Sequence, residues 1–127
     1  MTALVYFVFL LALVFDMETD AALIARGKPV NHLRGALLFA PVLALAWWLT
    51  GSVVWMPHLL AMRWLMFDYL LNIRRGLDGL RYIGLSADKE PDALTDRILE
   101  KIGWRWALAV KLFFCVLSIA MLITIRP

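Results

Sequence analysis

Apolar residues fall in long blocks along this chain, and the charges cluster between them. The first block, MTALVYFVFLLALVF, runs on through DMETDAALIAR until Gly27 and Pro29 close it. The second begins at Gly35 and reaches Met56, with Pro41 as an expected kink that neighbouring helices tolerate. The last, from Trp106 to Ile125, is interrupted only by Lys111. A crossing helix needs about 20 residues at about 1.5 Å each. The pattern therefore predicts spans over residues 1–26, 35–56 and 104–125.

The stretch MRWLMFDYLLNIRR is harder to read, because Arg63 and Asp68 interrupt it. Taken over residues 58–75 it is still long enough to cross, and the turn before it, around Pro57, is short and uncharged. It is counted as a span. Beyond a glycine-punctuated stretch, PDALTDRILEKIG sets Leu94, Ile98, Leu99 and Ile102 opposite Asp92, Asp96 and Glu100. That spacing predicts an amphipathic helix over residues 91–102 on the inner membrane surface. The expected fold is all-α: a four-helix transmembrane bundle with this surface helix, in one domain covering residues 1–127.

Composition agrees with the blocks. Hydrophobic residues make up 63% of the 127, and the mean hydropathy is +0.78. A soluble domain is about 45–50% apolar, and so short a chain has too little interior to hide the excess. The net charge of +3 does not argue for nucleic acid. Cys115 is the only cysteine, which excludes an intramolecular disulfide and a cysteine-based zinc site. The amino terminus lacks a basic start and a small-residue cleavage site, so it is expected to stay attached.

Charge then orients the spans. Four crossings put Arg26, Lys28, Arg34, Arg74, Arg75, Arg81, Lys89, Arg97, Lys101 and Arg105 on one side and leave only Arg126 on the other. Arg63 and Lys111 stay within spans. Three crossings would split the basic segments between opposite faces. Because Lys and Arg concentrate in cytoplasmic loops, both termini are expected outside the cytoplasm, in a plasma membrane of the bacterial inner-membrane kind.

Ionisable groups inside a span face the bundle and seek partners. Arg63 and Asp68 are about 140° apart around a helix, so each must look to another helix. Lys111 lies at a depth similar to that of Asp68, and a packing pair between them is one reading. Arg63 is read as extending its stem toward the outer headgroups. A sharper reading gathers Asp16 and Asp20, which share a face while Glu18 points away, with His32 and Asp68 at the inner boundary. Oxygen ligands with one histidine suit Mg2+ or Mn2+, and no organic cofactor is indicated. Asn72, Arg34, Arg74, Arg75 and Arg81 would then bind a phosphorylated lipid or nucleotide headgroup. His58 belongs to the opposite face.

No glycine-rich phosphate loop, His-Glu-x-x-His or Gly-x-Ser-x-Gly occurs. LDGLR and PDALTDR are similar to fragments of the CDP-alcohol phosphotransferases, but that family's remaining glycine and aspartate spacings are missing and its activity is not carried over. The succession FDMETD, NHLRGALLF, RWLMFDYLLNIRRG, YIGLSAD and a final apolar helix resembles a class of small multi-pass membrane proteins of bacteria and their phages. The resemblance implies a multi-pass bundle and no particular activity.

Three functions follow as alternatives. One is a metal and headgroup site, acting as a hydrolase or transferase if catalytic. The second is a noncatalytic subunit of a larger membrane complex, with Gly35, Ala36, Ala40, Ala44 and Ala46 offering close helix contact. The third is a homo-oligomeric channel. Membrane lipids are the common partner.

Overall fold

A computed structural model describes residues 1–28, 30, 32–79, 98 and 101–125, except for the His32 side chain. Among these the chain forms four long helices and no strand: α1 (Thr2–Ala25), α2 (His32–Thr50), α3 (Trp55–Arg74) and α4 (Trp104–Thr124). The amphipathic helix expected over residues 91–102 lies almost wholly outside the described residues, as does Arg81.

The helix ends follow local chemistry. Gly27 and Gly76 have φ of 65° and 72°, a left-handed conformation that residues with a Cβ adopt at a cost. Past each, the chain turns back: Lys28 N–H donates to the Leu23 carbonyl and Leu77 N–H to that of Asn72, both at 2.9 Å. These wrapped ends stop α1 and α3 at the same end of the bundle. Between α2 and α3 the break falls at Gly51, not at Pro57 as expected. Proline is tolerated in a first helical turn, where its missing N–H would have no partner, so α3 starts at Trp55 and takes Pro57 in.

Each outer helix turns one narrow stripe inward. On α1 it is Val5, Phe9, Leu13, Asp16 and Asp20; on α4 it is Ala107, Lys111, Cys115 and Ser118. The three-and-four spacing is the helical repeat. On α2, Gly35, Phe39, Val42 and Ala46 are buried, while Ala36, Ala40 and Ala44 face outward. The α1–α3 core holds Phe9, Leu13, Phe39 and Leu59, with the Phe9 and Phe39 rings edge to face at 5.8 Å.

Helix α3 is the hub. It packs against α1, α2 and α4, α1 also packs on α2, and α4 touches α3 alone among the described helices. Contacts fix the directions: Tyr6 meets His58 and Asp16 meets Arg63, so α1 and α3 run the same way. Phe9 meets Phe39 and Asp20 meets Arg34, which sets α2 antiparallel. Asp68 meets Lys111 and His58 meets Ser118, so α4 is antiparallel to α3.

By length and composition, α2 over Leu33–Thr50 and α4 over Trp104–Thr124 qualify to cross a membrane. Four spans were expected. Asp16, Glu18 and Asp20 occupy the second half of α1, and Arg63, Asp68 and Arg74 interrupt α3.

Candidate functional site

Because α3 is surrounded, its two mid-helix charges leave in different directions. Arg63 turns toward α1 and α2. Its Nη2 donates to Asp16 Oδ2 at 2.7 Å, and its guanidinium lies over the rings of Phe39 and Phe67, 4.6 and 5.0 Å from their centroids. The stem was expected to extend toward the outer headgroups; it runs instead toward the end of the bundle where α1 and α3 stop, because its counter-charge on α1 sits nearer that end. From α2, Arg34 donates to Asp20 and stands 3.6 Å from Asp16 Oδ1. Two carboxylates and two guanidiniums thus tie three helices together with no net charge.

The knot is buried unevenly. Asp16 is 1% exposed, whereas the side chains of Arg34 and Arg63 are 35% and 28% exposed. Asp16 Oδ1 and Arg63 Nε have no hydrogen-bond partner, so Coulomb attraction holds the rest of the contact. Space comes from Gly35: a Cβ there would stand 2.8 Å from Arg63 Nη2 and 3.1 Å from Asp16 Oδ2. A side chain there would force the paired groups to shift.

Asp68 points the other way, to α4. It accepts a hydrogen bond from Lys111, whose ammonium also lies 5.5 Å from the Trp64 ring centroid. Glu18, turned outward on α1, accepts from Arg74 Nε at 2.8 Å on the exposed surface. Asn72 is buried at the end of α3, with its amide nitrogen 3.5 Å from the Gly79 carbonyl.

A separate polar cluster lies toward the opposite end. His58, 2% exposed, has Nε2 at 2.8 Å from the Tyr6 hydroxyl and Nδ1 at 3.1 Å from Ser118 Oγ. Ser118 Oγ donates to the Cys115 carbonyl, so it accepts from Nδ1–H, and Nε2 accepts from Tyr6. One neutral imidazole joins α1, α3 and α4.

Among the described residues the three expected carboxylate ligands do not form one cluster. Asp16 and Asp20 are neighbours, Asp68 belongs to the pair with Lys111, and His32 opens α2 with its side chain outside the described residues. Among the described residues no group of three or more His, Cys, Asp or Glu side chains is arranged to hold a metal. Of the expected headgroup ligands, Arg34 and Arg74 are engaged with Asp20 and Glu18, and Arg75 sits at the end of α3. Sequence reading missed the Arg63–Asp16 contact and the Tyr6–His58–Ser118 chain. The only signal for them was that Asp16 continues the apolar stripe of α1 and Ser118 that of α4.

No family model, curated protein or solved structure matches this chain.

Proposed function

We propose that this is a four-span membrane protein with its basic end in the cytoplasm and both termini on the other side, acting as a noncatalytic subunit of a membrane assembly. The observation that carries the reading is that Asp16, Asp20 and Asp68 each meet a cation from another helix. Such groups position helices; they are not poised for a substrate. Lipid is as apolar as a leucine side chain, so helices in a bilayer gain little from apolar contact and take their specificity from close packing and polar contacts.

The membrane part rests on three features. Phe7, Leu11, Val14 and Phe15 of α1, Trp48 of α2 and Phe113 of α4 all point outward, a surface that water would not tolerate. Helices α1 and α3 lie alongside α2 with similar length, so a layer crossed by α2 is crossed by them too. Finally, Arg26, Lys28, Arg34, Arg74, Lys101 and Arg105 gather at one end, while the Gly51–Val54 turn and the end of α4 at the other carry no charged side chain among the described residues.

The assembly part rests on α4, which contacts α3 alone among the described helices and leaves Trp106, Phe113 and Val116 uncovered. Gentle extraction from the native membrane is expected to recover a partner at fixed stoichiometry; a monodisperse homomer from both native and recombinant sources would refute the subunit role. A divalent ion, by contrast, would have to displace Arg34 and Arg63 and also reach Asp68 on the α4 side. Manganese bound at defined stoichiometry by the purified protein would favour that alternative.

A further inference from the structure

Between α3 and α4, at the basic end, lies a cavity of about 480 Å3. Leu65, Met66, Leu70 and Leu108 line it, with the Asp68–Lys111 pair on one wall and Trp104, the first residue of α4, at its edge. The volume lies in the range of small-ligand pockets, about 300–1,000 Å3. Its walls suit hydrocarbon. Lys111, paired with Asp68, lies farthest from the basic end among the α4 residues of the lining. Close to Trp104 the charge becomes positive: Arg105 is exposed with its guanidinium 5.4 Å from the Trp104 ring centroid, and Lys101 is exposed just before it.

Along α4 the exposed cations come first, then the apolar wall at Ala107 and Leu108, then Lys111; a cationic mouth leading into an apolar cavity suits an anionic head with a hydrocarbon tail. From this geometry we infer that the α3–α4 cavity holds one acyl chain of an anionic phospholipid, with Lys101 and Arg105 at its phosphate. The inference rests on the membrane reading. It adds a specific lipid site that none of the helix-pairing contacts requires, and it sets the Asp68–Lys111 pair beside a ligand.

The test is native mass spectrometry of the full chain from detergent, given phosphatidylglycerol or phosphatidylcholine. One phosphatidylglycerol per chain should be retained, with a preference of about thirtyfold, the scale expected for two basic side chains near an anionic lipid. Lys101→Gln with Arg105→Gln should abolish the preference, and Leu108→Trp, which fills the cavity, should abolish retention. Should Leu108→Trp fail to fold, a phosphatidylglycerol with a photoreactive acyl chain should label Leu65, Leu70 or Leu108 in the unaltered protein. Retention without preference, or labelling confined to residues 80–97 or to the outer faces of α1 and α2, overturns the inference. If the protein needs detergent for extraction yet retains no lipid, the site alone is lost; if it is soluble without detergent, the membrane reading falls first.

Discussion

Gly35→Ala adds a single methyl group at the point where α2 crosses the Asp16–Arg63 pair. An ideal Cβ there would stand 2.8 Å from Arg63 Nη2, closer than real Cβ contacts come, and 3.1 Å from Asp16 Oδ2. Neither neighbour is free to yield. Arg63 is held between Phe39 and Phe67, and Asp16 is buried between two guanidiniums. Overpacking of this kind costs about 1–3 kcal/mol, against a gain of about 1 kcal/mol from replacing glycine inside a helix. The expected net effect is a loss of up to about 2 kcal/mol once the helix gain is subtracted. The sign should reverse when the pair is absent: with Asp16→Ala and Arg63→Ala in place, the atoms nearest the methyl are gone and it should stabilise by about 1 kcal/mol. A double-mutant comparison isolates the coupling, read from unfolding of detergent-solubilised protein in increasing dodecyl sulfate, followed by helical circular dichroism. Equal effects of Gly35→Ala in the two backgrounds would refute the claim that glycine serves the ion pair.

Three further outcomes follow from the same contacts. Asp68→Ala should destabilise by about 3–5 kcal/mol, because Lys111 is left buried without its anion, and Asp68→Leu with Lys111→Met should recover most of that loss; the same unfolding assay decides. His58→Phe should cost about 1–3 kcal/mol by stranding the Tyr6 hydroxyl, and Tyr6→Phe added to it should cost little more. Glu18→Gln should leave the unfolding midpoint unchanged, since the Glu18–Arg74 pair is exposed and screened; a clear fall would give that pair a structural part it lacks here.

How much of this was legible in the sequence depended on the range of the interaction. Long apolar blocks announced four helices, since each block matches one helix in length, and the resulting element ends lie within a few residues of those expected. The exception, the turn at Gly51, shows a local rule outweighed: Pro57 looked like the breaker but fits inside a first turn. Depth along a helix was also legible, because the rise per residue is fixed, and it placed Lys111 opposite Asp68. The direction of Arg63 was not. A long side chain follows whichever neighbouring helix offers counter-charge, and which helix adjoins α3 on that side emerges only from packing. The proposed gathering of Asp16, Asp20, His32 and Asp68 was drawn from shared depth alone; the structure sends Asp68 around α3 to another partner.

The attachment of α4 through α3 alone has a bearing on how the chain is made. Helices α1 to α3 can settle as a unit while the ribosome is still translating the stretch that precedes α4, with Asp68 waiting uncompensated at the edge of the trio. When α4 emerges, its lysine meets the waiting aspartate, so docking of the last helix on the third gives both charges their partner at once. Under the proposed membrane reading, seating of the last helix is thereby tied to placement of the third through two side chains.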